Sequence, residues 1–199
     1  MTQGSAFCKN TPISKPVTLP ANPSNNAVSV FLNNGNGTFP SKVNYTTGSN
    51  PQFVSIEDLN RDGKKDLVVN TSDVLSVLLN NGDGTFAAKV DYSIVGGSTA
   101  PVAIGDVNGD GKKDLISQSM TTNSVGVFLN NGNGTFAAKV DYASGPSPYS
   151  TVVGDLNADG KNDLVVTNYG ASGSVSVLLN NGNGTFAPRV EYAIGNYTR

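Results

Sequence analysis

Val28-Ser-Val-Phe-Leu-Asn-Asn-Gly-Asn-Gly-Thr-Phe39 carries the reading of the whole chain. Its first five residues are mostly β-branched or apolar and suit a strand buried on both faces. The Asn-Gly pairs that follow supply the positive φ angles of a tight hairpin. The strand returns as Leu75 to Leu79, Val125 to Leu129 and Val175 to Leu179, and the turn as Asn81 to Phe86, Asn131 to Phe136 and Asn181 to Phe186. Phe39, Phe86, Phe136 and Phe186 are spaced by 47, 50 and 50 residues, so the chain is a repeat array.

A second marker falls between these turns: Asp58-Leu-Asn-Arg-Asp-Gly-Lys-Lys-Asp66, Asp106-Val-Asn-Gly-Asp-Gly-Lys-Lys-Asp114 and Asp155-Leu-Asn-Ala-Asp-Gly-Lys-Asn-Asp163. In the first complete period, Phe53 to Ile56 reads as strand one, followed by the acidic loop. Leu67 to Val69 is strand two, Val74 to Leu79 strand three and Phe86 to Tyr92 strand four. Nothing in the period reads as a helix. Four antiparallel strands at this period predict an all-β fold, a β-propeller-type array of four-stranded antiparallel blades, about three complete plus one N-terminal blade that is incomplete or metal-free. The boundaries are residues 1–27 as an N-terminal extension or half-blade, 28–192 as the array (blades near 28–50, 51–98, 99–147 and 148–192) and 193–199 as a tail. Lys15 to Leu19 is a candidate strand of the N-terminal blade.

Antiparallel order fixes the faces. The acidic loop and the Asn-Gly turn share one side, and the connections that vary in length and composition share the other. On the first side, Asp-x-Asn-x-Asp-Gly-x-x-Asp sets oxygens at positions 1, 3, 5 and 9 of a loop bent at Gly, a calcium pattern with its closing carboxylate at position 9. The expected ligands are Asp58, Asn60, Asp62 and Asp66; Asp106, Asn108, Asp110 and Asp114; and Asp155, Asn157, Asp159 and Asp163, with the carbonyls of Lys64, Lys112 and Lys161 completing each shell. Three structural Ca²⁺ ions follow, because three carboxylates gathered in one loop repel one another without a cation. Lys64, Lys65, Lys112 and Lys113 read as local offsets to these acids.

Composition narrows the function. There is no His among 199 residues and Cys8 is the only cysteine, which removes histidine-based catalysis, imidazole zinc sites and disulfide frameworks. A net charge of −2 argues against a nucleic-acid partner, and no apolar run approaches a membrane span or a secretion signal. Only Glu57, Asp73, Asp83, Asp91, Asp141 and Glu191 lie outside the acidic loops, so no catalytic set assembles and no catalytic residue is assigned. Tyr149 and Tyr169 lie in variable connections and are candidates for stacking on a sugar, whereas Tyr45, Tyr92, Tyr142 and Tyr192 occupy one repeat position and read as blade packing. Asn36, Asn44, Asn70, Asn133, Asn183 and Asn196 open Asn-x-Ser/Thr sequons, three of them simply the repeated turn.

With these motifs the chain resembles the FG-GAP-like or VCBS repeats over about residues 28–192, and the calcium loop carries the likeness in all three copies. The literal Phe-Gly and Gly-Ala-Pro tripeptides are absent, so the likeness is to the bacterial VCBS form. The resemblance implies seven-bladed propellers, structural calcium on the face away from the ligand, and an extracellular or cell-surface location. A seven-bladed ring needs roughly 340 residues at this period. Self-association or a longer chain is therefore the expected partner, with a protein or glycan ligand on the variable face. The expected function is a binding, adhesion or self-assembly module and not an enzyme. The rival reading is the propeller segment of a secreted polysaccharide lyase or hydrolase.

Overall fold

The repeat period is visible directly in the strand order. A computed structural model describes residues 6–7, 17–19, 21–39, 41–94, 96, 100–170 and 173–195, and among them there is no α-helix. Three complete periods each form a four-stranded antiparallel sheet in sequence order. The first holds β6 (Phe53–Glu57), β7 (Asp66–Asn70), β8 (Val74–Leu78) and β9 (Val90–Ser93). The second holds β10 (Ala103–Gly105), β11 (Asp114–Ser119), β12 (Ser124–Phe128) and β13 (Val140–Ala143). The third holds β14 (Pro148–Gly154), β15 (Asp163–Asn168), β16 (Ser174–Leu178) and β17 (Val190–Ala193). The N-terminal sheet is built on β4 (Ala27–Leu32), which pairs with β5 (Lys42–Thr46) along one edge. Its other edge is shared by β2 (Val17–Leu19), opposite Phe31 and Leu32, and β3 (Ala21–Asn22), opposite Ala27 and Val28. β1 (Ala6–Phe7) adds outside β2. The fold is thus the all-β array of propeller-type blades that the repeats imply. Of the candidate strand at Lys15 to Leu19, Val17–Leu19 is strand, and the first two residues lie outside the described set, as does Cys8.

The chain divides into two units, residues 1–93 and 94–199, and each holds a pair of sheets packed face to face. In the first, Val28 and Val30 of β4 meet Leu67 and Val69 of β7, Leu78 of β8 and the turn residue Phe86. In the second, Ile116, Val125 and Val127 meet Leu164, Val166, Leu178 and Phe186 in the same arrangement. β7, β11 and β12 are buried along their whole length, with Leu67 to Val69, Leu115 with Ile116, and Val125, Val127 and Phe128 as their apolar residues and Ser117, Gln118, Ser119 and Ser124 among their buried polar ones. Burying each such apolar side chain contributes roughly 1.5–3 kcal/mol.

Strand four begins later than the sequence suggests. Phe86, Phe136 and Phe186 make single bridges to Asn80, Asn130 and Asn180, and the ladder resumes only at Val90, Val140 and Val190. Ala87, Ala137 and Ala187 each still donate an N–H back to Leu79, Leu129 and Leu179 at 2.8 Å. The position after them lies outside the ladder, which is why Pro188, lacking an N–H, is accommodated there in the last copy.

Candidate functional site

The three acidic loops fold as chains of side-chain to backbone hydrogen bonds. Asp58 accepts from the N–H of Arg61 at 2.7 Å and of Gly63 at 2.9 Å. Asn60 Oδ1 accepts from Asp62 N–H at 3.1 Å, and Asp62 Oδ1 from Lys64 N–H at 2.9 Å. The second loop repeats this pattern with Asp106, Asn108 and Asp110, and the third with Asp155, Asn157 and Asp159, except that Asp155 Oδ1 accepts from Asp159 N–H at 3.2 Å. Such bonds are what Asp and Asn supply in tight turns. The fourth loop position is left-handed in every copy, with φ of 63° at Arg61, 77° at Gly109 and 61° at Ala158.

Position 9 does something the spacing does not reveal. Asp66, Asp114 and Asp163 are fully buried. Each clamps the start of its own loop to the Asn-Gly turn. Asp66 accepts from Leu59 N–H at 2.9 Å and Asn80 N–H at 2.8 Å, Asp114 from Val107 and Asn130, and Asp163 from Leu156 and Asn180. Asn80, Asn130 and Asn180 answer by donating their side-chain amides to the carbonyls of Lys65, Lys113 and Asn162. Asn180 also reaches the Val107 carbonyl of the preceding sheet at 2.7 Å. The loop and the turn therefore do share one side of each blade. These three asparagines went unassigned from sequence, although their recurrence just before every Asn-Gly turn was the available signal.

The position-7 lysines lie across the same surface. Lys64, Lys112 and Lys161 pair with Asp62, Asp110 and Asp159 at 3.3, 2.8 and 3.2 Å. Their stems cover Gly82, Gly132 and Gly182, where an added Cβ would stand 2.6 to 2.9 Å from the lysine carbons. Burial pushes the carboxyls of Asp66 and Asp114 above the ordinary range, and the charges of Asp62 with Asp58, and of Asp110 with Asp106, push the same way. Asp62 and Asp110 lie below it: burial opposes this but is outweighed by bonds from Lys64 and Asn60, and from Lys112 and Asn108.

As donors, these loops offer carboxylate and amide oxygens with no sulfur or imidazole, the chemistry of a hard cation. Among the described residues no three acidic side chains form a ready-made cation cluster, because the oxygens are turned onto loop N–H groups and the lysines. The donor types fit calcium in kind, with side-chain rotation inside each loop.

On the opposite side, the connections are anchored to asparagines. Thr47 N–H and Asn50 N–H bond the Asn26 carbonyl and side chain, and Ser144 and Ser147 bond Asn123 in the same way. Tyr149 and Tyr169 meet here with ring centroids 6.1 Å apart. Tyr45 and Tyr142 instead pack edge-on against Phe86 and Phe186 of the next sheet, with centroids 5.4 and 5.2 Å apart, as blade packing requires.

A family model described as FG-GAP-like repeat matches residues 17–69, 58–117, 106–166 and 155–199. No curated protein matches the chain. Among solved structures, the Vibrio cholerae biofilm matrix protein Bap1 is similar in fold, with a TM-score of 0.60 at 15% identity over 94% of this chain. The chain spans 28% of that protein. An Agrocybe aegerita lectin that recognises non-reducing terminal N-acetylglucosamine has a TM-score of 0.47 at 20% identity, covering 98% of this chain and 67% of the lectin.

Proposed function

The chain belongs to the FG-GAP-like repeat family, and from that premise we propose that it is an extracellular, calcium-stabilised binding module, acting in adhesion to protein or glycan or in self-assembly. The observation that carries this is the threefold acidic loop with a fully buried carboxylate at its end. In the two loops 58–66 and 106–114 that carboxylate is disfavoured as an anion by burial and by its acidic neighbours. Positions 1, 3, 5 and 9 of each loop would hold the ion, with the carbonyls of Lys64, Lys112 and Lys161. A bound Ca²⁺ supplies the positive charge that these acids lack. At about 100 times its Kd, calcium adds about 2.7 kcal/mol per site. Thermal unfolding with millimolar calcium and then with chelator tests this, a large drop in Tm on chelation being expected. Equal transitions would end the calcium assignment.

The acids outside the loops support a binding role over catalysis. Asp91, Asp141 and Glu191 pair with Lys89, Lys139 and Arg189, Glu57 with Lys65, and Asp83 holds Thr85. Polysaccharide cleavage by the calcium-loaded chain would reinstate the lyase or hydrolase reading.

Self-association is favoured by one observation. Val152, Leu156 and Tyr192 on the outward face of the last sheet are 63%, 51% and 55% exposed, whereas Val107, the counterpart of Leu156, is buried. A further blade, from a second copy or from more of a longer chain, is the occupant we infer. For a second copy, light scattering should give a mass above 20.5 kDa that falls to the monomer value with Val152→Asp. A wild-type monomer at high concentration would overturn the second copy.

A further inference from the structure

On the side opposite the acidic loops, the geometry points to a carbohydrate site on the last sheet, with Tyr149 and Tyr169 as a stacking platform for a neutral, β-linked pyranose chain. The inference rests on the binding-module reading and deepens it. Both rings are at least half exposed, at 50% and 57%, and they are tilted by 42° toward one another. Aromatic rings present a negative face, and the axial C–H bonds of an all-equatorial sugar present a positive one, so the two stack with little loss of conformational freedom.

The pair is held in place by its backbone. Pro148 opposes Asn168 while Ser150 opposes Thr167, which leaves Tyr149 as the extra residue of a β-bulge. A bulge re-aims its side chain out of the pleat. Tyr169 N–H donates to the Ser147 carbonyl at 2.8 Å, and Ser147, in the left-handed region at φ 54°, is itself tied to Asn123. Gly170 lies so close to Pro146 that a Cβ would approach its ring to 2.8 Å. Two connections from different parts of the period are thus locked together beneath the rings, and a platform arranged beforehand loses less entropy on binding.

Charge selects the ligand class. Residues 143–150 and 168–174 contain no Asp, Glu, Lys or Arg. Among the described residues, the charge bonded to them is the carboxylate of Glu191, on Ser174 at 2.6 Å with Arg189 already paired to it. A phosphate, sulfate or uronate would therefore find no counter-charge within these segments, whereas a neutral sugar needs only ring faces, hydroxyls and backbone groups.

The test uses the full chain in calcium with cellohexaose and chitohexaose as probes and a sialylated oligosaccharide as the charged control, read by saturation-transfer NMR and affinity electrophoresis. Binding of a neutral probe is expected, weakened at least tenfold by Tyr149→Ala or Tyr169→Ala and retained by Tyr149→Phe, with the unfolding midpoint unchanged in all three. Binding that survives the double alanine variant would place the sugar elsewhere, overturning the tyrosine site while leaving the binding-module reading intact. No binding of either neutral probe by the wild type, or preference for the charged control, would overturn the proposal. The calcium reading is judged separately by chelation, which does not involve these tyrosines.

Discussion

Replacing Asn180 by Asp exchanges one NH₂ for an oxygen and tests the link between consecutive blades. Asn180 is buried and donates to the carbonyls of Val107 at 2.7 Å and Asn162 at 2.6 Å, while its own oxygen accepts from Gly182 N–H at 2.7 Å. Asn180→Asp keeps the Gly182 bond but turns an acceptor onto two carbonyl oxygens. The two lost bonds are worth about 1 kcal/mol each, and each stranded carbonyl adds about 1 kcal/mol more. The sum is about 4 kcal/mol, which for a unit of this size lowers Tm on the order of 20 °C. Asn180→Ala strands the same two carbonyls and loses the Gly182 bond as well, about 5 kcal/mol by the same count. The unpaired buried charge of the aspartate, on the order of several kcal/mol, still leaves that variant the less stable of the two. Urea unfolding of the three proteins at pH 7, in calcium and in chelator, gives the ranking. The aspartate variant should also recover part of its deficit on acidification, since a protonated carboxyl regains one donor. A cost below about 1 kcal/mol, or an alanine variant less stable than the aspartate one, would refute the assigned hydrogen bonds.

Without calcium, the protein should be most stable at mildly acid pH. Asp66 and Asp114 have folded-state pKa values raised above 3.8, so their contribution is present at low pH and lost as pH rises through those values. Asp62, Asp110 and Asp159 are lowered, so theirs is present above 3.8 and lost as pH falls through the folded values. Urea midpoints in chelator from pH 3 to 7 should therefore pass through a maximum, and a steady rise to pH 7 would contradict these environments. Tyr142→Ala should cost about 2–3 kcal/mol, since it removes an edge-on ring contact with Phe186 as well as buried area, and burial already pushes the Tyr142 phenol up. Tyr192→Ala, at the same repeat position but exposed, should cost under about 1 kcal/mol in the monomer, and equal costs would show that the ring contact contributes nothing.

Much of the fold was readable because each marker has one structural use. Asn-Gly before Thr-Phe makes a hairpin turn, and Val-Ser-Val makes a strand in both places it occurs, buried at Val28 to Val30 and half-buried at Val175 and Val177. The acidic loops were located for the same reason, but spacing could not show how Asp66, Asp114 and Asp163 are used. A carboxylate facing a cation and one facing two N–H groups leave the same letter in the sequence. Asn180 was missed because its partner Val107 lies 73 residues away, and local patterns carry no information at that separation. β2 was legible only as the candidate strand Lys15 to Leu19 and β3 not at all, because residues before Val28 contain neither repeat marker. The tyrosine pair depends on a bulge at Tyr149, and single-residue register shifts are invisible to a two-residue alternation.

The contact between Tyr45 and Phe86, reproduced by Tyr142 and Phe186, has a consequence at the level of the gene. Each contact joins the end of one period to the turn of the next. Recombination between two equivalent points in the coding repeats therefore adds or removes a tyrosine together with the phenylalanine that covers it. The new junction again sets a tyrosine against a phenylalanine. Array length can drift between lineages without any new interface having to arise, and selection is left to act on how many copies are kept.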